Sequence, residues 1–113
     1  MRVICGLINQ AGIPIENIKG SNTSVHVGSF TDDYKMGSWR DAQQIPKYSI
    51  LGVAAAVLSG RISCFFDLRG PSVTINTACS SSLVALAMSC NSLWAGESDI
   101  VIAFKLQKPS KTY

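Results

Sequence analysis

Apolar positions recur along the chain with two periods, and the change from one to the other marks out its elements. Val3, Ile4, Leu7, Ile8 and Ala11 fall at helical spacing, and Gly12 with Pro14 closes that pattern. Residues 24–30 alternate instead, with Val25 and Val27 on one side and His26 on the other. This predicts a short strand with the histidine on its outer face, and Gly28 allows a turn or a close approach there. From 31 to 47 the chain is polar and broken, with Asp32, Asp33, Arg40, Asp41, Gln43, Gln44 and Pro46 predicting a surface loop. Tyr34, Met36 and Trp39 are its apolar exceptions, expected to pack the loop onto its own domain.

Helical spacing returns over residues 49–64, where Leu51, Ala54, Ala55, Leu58, Ile62 and Phe65 form a stripe. The small residues of this helix suit close packing against a later one. Arg61 is its single charge and is expected to meet a carboxylate such as Asp67, or a carbonyl.

The run from Gly70 to Met88 is the most informative. Gly70 and Pro71 punctuate, residues 72–76 alternate with β-branched Val73, Thr74 and Ile75, and from Cys79 onward the period is helical. Strand, tight turn and helix follow in that order. Over residues 79–95 small or apolar side chains occupy nearly every face, including Leu83, Leu86, Met88, Cys90, Leu93 and Trp94, which predicts a buried helix. Gly96 is placed to cap it, and residues 99–104 read as a buried strand of a parallel sheet. The order of elements is that of an α/β layered domain.

Candidate chemistry centres on Cys79. At the first turn of a helix, unpaired N–H groups and the positive end of the dipole favour a thiolate over a thiol, so this cysteine is the candidate nucleophile. Ala78 and Ser80, together with Ser81 and Ser82, are small enough to admit an acyl group and to let backbone N–H groups approach a developing oxyanion. Ala78 and Ser80 are therefore the candidate substrate-binding residues, and the chemistry implied is acyl transfer through a thioester. His26 is the only histidine and invites pairing with Cys79, but it reads better as a polar residue on the outside of its strand.

Composition narrows the class. The four cysteines, at 5, 64, 79 and 90, form no Cys-x-x-Cys pair, and one histidine cannot complete a zinc site of usual spacing, so no metal is expected. Cys5, Cys64 and Cys90 read as small buried hydrophobes. Ten Lys and Arg against seven Asp and Glu give a net charge of +3 without a basic run in the body of the chain, which argues against nucleic-acid binding. No apolar stretch reaches the roughly 18 residues of a membrane span, and the N-terminal run is too short for a signal peptide. A cytoplasmic, reducing location is expected.

Asn76-Thr-Ala-Cys-Ser-Ser-Ser-Leu closely resembles the active-site signature of β-ketoacyl synthases, in the form found in ketosynthase domains of polyketide synthases. The resemblance runs upstream to Phe65-Phe-Asp-Leu-Arg-Gly-Pro-Ser and downstream to Gly96-Glu-Ser-Asp-Ile-Val-Ile-Ala, and its wording is most similar to fungal iterative enzymes. Asn76, where the family usually has Asp, and Gly60, where Asn is more usual, depart from it. The resemblance implies a partial thiolase-like fold, the N-terminal half of a ketosynthase incomplete at both ends. It divides the chain into residues 1–103, a fragment of the synthase domain, and 104–113, a divergent basic tail with Lys105, Lys108 and Lys111.

It also implies an activity. Cys79 would take an acyl chain from the phosphopantetheine of an acyl carrier protein and condense it with a malonyl unit, with no cofactor bound to the chain itself. The family's two active-site histidines lie downstream of the nucleophile, and His26 matches neither. A homodimer is implied in the complete enzyme, with the strand at 73–77 at its two-fold interface. Two other readings stay open: an independent thiol acyltransferase or thioesterase, for which only His26 could serve as base, and a catalytically silent fragment or interaction module pairing through exposed sheet edges.

Overall fold

The computed structural model describes residues 2–30 and 56–106. The loop expected over 31–47, residues 49–55 of the second helix and residues 107–113 lie outside them. Helix α1 (Arg2–Gln10) buries Ile4 and Ile8, four apart on one face, and gives way at Gly12 as its sequence predicts. A single-turn helix, α2 (Ile15–Ile18), follows Pro14 and buries Ile18. Strand β1 (Thr23–Ser29), helix α3 (Ala56–Phe66), strand β2 (Ser72–Ile75), a 3₁₀ turn (Ala78–Ser80), helix α4 (Ser81–Trp94) and strand β3 (Ile100–Leu106) complete the described order.

The three strands are parallel in the order β2-β1-β3, with Val25 opposite Ser72 and Ile102, and Val27 opposite Thr74 and Phe104. Because β2 and β3 flank β1, the crossover between them carries α4 across the central strand. Val25 and Val27 face a core made with Ile4, Ile8, Ile18, Ile62, Phe66 and Leu68. The other face of β1, holding Ser24, His26 and Gly28, meets α4. There the Ser24 hydroxyl lies 3.1 Å from that of Ser98, which lies 3.0 Å from the Ser92 hydroxyl on α4.

This sandwich corrects the expectation for His26. Both faces of β1 are covered, every residue of the strand is buried, and His26 is only 3 % exposed. Alternation of polar and apolar residues signals an outer face only when one side of the sheet meets water, and a strand between two helix layers has no such side.

Helix α3 also differs from its expected stripe. Among its described side chains Ser59, Ile62 and Phe66 are buried, whereas Phe65 points to solvent. The described part of α3 shares the β1 face that carries Val25 and Val27, so the sheet stands between it and α4. Its small residue packs on β2 instead: Thr74 Oγ1 donates to Ser59 Oγ (3.0 Å) and accepts from the Ser59 N–H (3.3 Å). Arg61 is exposed, which removes the burial that was expected to demand a carboxylate, and Asp67 forms an exposed ion pair with Arg69 at 3.8 Å.

Helix α4 was expected to be buried all round. Its inward face is Ser81, Ala85, Ser89 and Ser92, and its larger side chains point outward, with Leu83 at 69 % and Trp94 at 83 % exposure and Leu86 and Leu93 also exposed. Small inward residues let the helix lie close to the sheet. An all-apolar helix announces that it needs cover, but not which face receives it. At its end the Gly96 N–H bonds the Leu93 carbonyl (3.1 Å) and the Glu97 N–H bonds the Ser92 carbonyl (3.0 Å), with Gly96 at φ 70°. That is the left-handed cap predicted from the glycine. No described helix is long and apolar enough to cross a membrane. All four cysteines are free; Cys5 and Cys90 are half-buried, whereas Cys64, expected inside, is exposed on α3.

Candidate functional site

Strand β2 ends at Ile75, two residues before the end of the expected 73–77 stretch, because a compact turn begins at Asn76. The Asn76 side-chain oxygen accepts the Ala78 N–H at 3.3 Å, closing an Asx-type turn. Ala78 then adopts φ 53°, in the left-handed region that a residue with a β-carbon enters at a cost of roughly 1–3 kcal/mol. The chain reverses and Cys79 follows.

Hydrogen bonds hold the turn on both sides. The Thr77 N–H donates to Ser81 Oγ at 2.9 Å, and that hydroxyl lies within donating distance of the Ala78 carbonyl (2.7 Å) and the Ser29 carbonyl at the end of β1 (3.1 Å). Ser80 Oγ bonds the Thr77 carbonyl at 2.7 Å and approaches Thr77 Oγ1 at 3.1 Å. Ser81 is fully buried. It was expected among the small residues around the thiol, but it lies beneath the turn and ties it to the sheet, while Ala78, Cys79, Ser80 and Ser82 are exposed.

Gly28 completes the seat. A β-carbon on it would stand 2.9 Å from the Ser81 carbonyl oxygen and 3.2 Å from the Ser82 nitrogen. Only hydrogen in that position lets the first turn of α4 rest on β1. Residues 71–96 contain no Asp, Glu, Lys, Arg or His, so the turn and its helix are free of formal side-chain charge. What faces the exposed Cys79 is the polar backbone of a helix start.

The structure does not bring Cys79 and His26 together as a pair. His26 lies within the sheet under α4, and its Nδ1 has no hydrogen-bond partner. Burial pushes its pKa below the usual histidine value, with the Glu97 carboxylate pulling in the opposite direction. Reading the sequence located the turn and the cysteine, and left a turn or a close approach at Gly28, of which the structure shows the approach. It missed Ser81 as the fastener, for which the only signal was a serine four residues after the turn's Thr77.

The model of the beta-ketoacyl synthase N-terminal domain matches residues 1–106. The chain belongs to the beta-ketoacyl synthase family. Among its relatives, a highly reducing polyketide synthase of Didymella fabae is 54% identical over 92 residues, covering 81% of this chain and 5% of that protein. The lovastatin nonaketide synthase mokA of Monascus pilosus is 51% identical over 96 residues, 85% of this chain and 3% of that protein. This ketosynthase chain thus spans only a few per cent of the length of the curated relatives it matches.

Among solved structures, an oxazolomycin ketosynthase domain of Streptomyces albus JA3453 (OzmH KS7) superposes with a TM-score of 0.81 at 26% identity, over 96% of this chain and 19% of that one. A second domain from the same source (OzmH KS8) gives 0.63 at 28% identity, over 87% and 21%. The expected thiolase-like ketosynthase fold, with a parallel sheet, is therefore the fold of the described residues.

Proposed function

We propose that this chain is the nucleophile-bearing part of a ketosynthase domain in a fungal polyketide synthase. The observation that carries the reading is the exposed Cys79 on a strained turn between the end of edge strand β2, where Ile75 is buried, and the start of α4. In the proposed reaction Cys79 Sγ, as thiolate, attacks the carbonyl of an acyl thioester borne by the phosphopantetheine of an acyl carrier protein. The electron pair of the carbonyl moves to oxygen, and the Cys79 N–H is the donor we assign to that oxyanion. Collapse breaks the carrier's C–S bond, the carrier thiol leaves, and the acyl group stays on Cys79. Exposed Ala78 and Ser80 border the space where that acyl group begins.

In the complete domain a malonyl thioester would then lose carbon dioxide, and its enolate carbon would attack the acyl-Cys79 carbonyl. A carbon–carbon bond forms, the Cys79 C–S bond breaks, and the β-ketoacyl chain remains on the carrier. Neither of the family's histidines matches a position in residues 1–113, so this step belongs to the complete domain. We further propose pairing of two copies through β2, which lies at an edge of the described sheet with no described strand on its outer side. Four free thiols fit a reducing, cytoplasmic compartment.

The test incubates the chain with a short acyl thioester and a malonyl thioester. Acylated chain without β-ketoacyl product is expected, because losing one oxyanion donor alone costs about 100- to 1,000-fold. Product formed at an enzyme-like rate and abolished by Cys79→Ala would show that these residues suffice for condensation; no acylation at all would refute the role of Cys79.

A further inference from the structure

We propose that His26 is a positioning residue for Cys79: held neutral and buried between β1 and α4, it seats the helix that carries the thiol, and its protonation lifts that helix. The geometry follows from the strand. Ser24, His26 and Gly28 share the β1 face turned to α4, and the two ends of that row are fixed, Ser24 through Ser98 to Ser92 and Gly28 against Ser81. Since α4 runs from Ser81 to Ser92 antiparallel to β1, His26 falls midway, opposite the stretch where the inward residues are Ala85 and Ser89. Ala85 is 1 % exposed and small, which leaves room for a ring there. Val73 of β2 and Ala103 of β3 lie beside His26 in the sheet, so its lateral neighbours are apolar.

Among the described residues, little around His26 can offset a charge. Helix α4 and strand β2 contain no acidic or basic side chain, and β3 contributes only Lys105, exposed and level with Gly28. In the turn from α4 to β3, the Glu97 carboxylate is the one group among the described residues that favours the cation, while Asp99 is exposed beyond it. Nδ1 is buried without a partner, so a second proton would add charge and a buried donor to a site that satisfies neither. Protonation is therefore coupled to separation of α4 from β1, and α4 begins two residues after Cys79.

The sign is set by the direction of the shift. The folded-state pKa lies below the unfolded value of about 6.5, so the seating is fully present above that value and is lost as pH falls below it, by at most about tenfold per pH unit for one proton. The inference rests on Cys79 as the functional thiol, but its test does not need acyl transfer. Iodoacetamide labelling of the full chain between pH 7.5 and 5 uses exposed Cys64, across the sheet on α3, as the internal reference. The pH profile of the Cys79-to-Cys64 labelling ratio in the wild type is expected to depart by several-fold from that of His26→Gln as pH falls below 6.5, the variant carrying whatever pH dependence the two thiols have by themselves. Amide exchange should quicken at Ala85 and Ser89 while Val25 and Val27 stay protected, which a purely global loss of stability would not produce. His26→Tyr, which fills the space without titrating in this range, gives the same comparison if His26→Gln does not fold. The same pH profile in the wild type and the His26 variant, or simultaneous loss of protection at all four amides, overturns the inference. Acylation of Cys79 together with identical pH profiles in wild type and variant would overturn it and leave the ketosynthase reading standing.

Discussion

Adding one methyl group at Gly28 tests whether the first turn of α4 sits where the chemistry needs it. In Gly28→Ala the new carbon would stand 2.9 Å from the Ser81 carbonyl oxygen and 3.0 Å from the Ser81 carbonyl carbon. Both are backbone atoms, so no side chain can rotate away. Reaching the near edge of ordinary contact requires α4 or β1 to retreat by about 0.5 Å. Overpacking of this kind costs about 1–3 kcal/mol, and each kcal/mol is worth roughly 4–8 °C in Tm for a domain of this size. The same retreat stretches the 3.1 Å contact between Ser81 Oγ and the Ser29 carbonyl, which ties the turn to the sheet. A misplacement of 1 Å costs on the order of 100-fold in rate, so a shift of half that should slow acylation of Cys79 by roughly tenfold. The assay pairs urea unfolding with mass-spectrometric acylation by a short thioester. Gly60→Ala is the control: nothing lies within 4 Å of a β-carbon there, and in a helix interior alanine should stabilise by about 0.5–1 kcal/mol without slowing acylation. Unchanged stability and unchanged acylation in Gly28→Ala would refute the placement of α4 on β1.

Two further substitutions probe the turn itself. Ala78→Gly should relieve the positive φ and be neutral or stabilising by up to about 1 kcal/mol, whereas Ala78→Val puts a β-branched residue at φ 53° and should slow acylation more than it lowers the unfolding midpoint. Equal stability of the two variants would contradict the strained geometry. Ser81→Ala strips the Thr77 N–H and the Ser29 carbonyl of a shared partner in a buried place and should cost about 1–3 kcal/mol, read by urea unfolding, with Ser82→Ala at the exposed neighbour near zero.

The regular parts of this fold were legible because each rests on local chemistry. Gly12 and Gly96 end helices, β-branched Val73 to Ile75 make a strand, and the Thr-Ala-Cys-Ser run turns sharply into a helix. What the sequence did not disclose was tertiary: which face of each element is covered. His26 has the look of an exposed alternating residue, but it is buried because α4 crosses over β1. The leucines of α4 have the look of a core, but they face outward because its serines pack on the sheet. Phe65 and Phe66 are adjacent, and only the position of the helix decides that Phe66 goes in. At the candidate site, the cysteine and its turn could be read from spacing. Ser81 could not, since its partners, Thr77 and Ser29, combine a local contact with one 52 residues away.

The central claim is that Cys79 is a functional nucleophile and not merely an accessible thiol. Cys64 is also exposed and free, and it has no comparable turn around it. The most direct measurement is a peptide map of the chain after brief exposure, at neutral pH, to a limiting amount of a short acyl thioester, with all four cysteines present. The acyl group should be found on the peptide containing Cys79, at least tenfold over that containing Cys64 on the order expected for a preorganised oxyanion donor. Equal acylation of Cys79 and Cys64 in the folded chain would contradict the account.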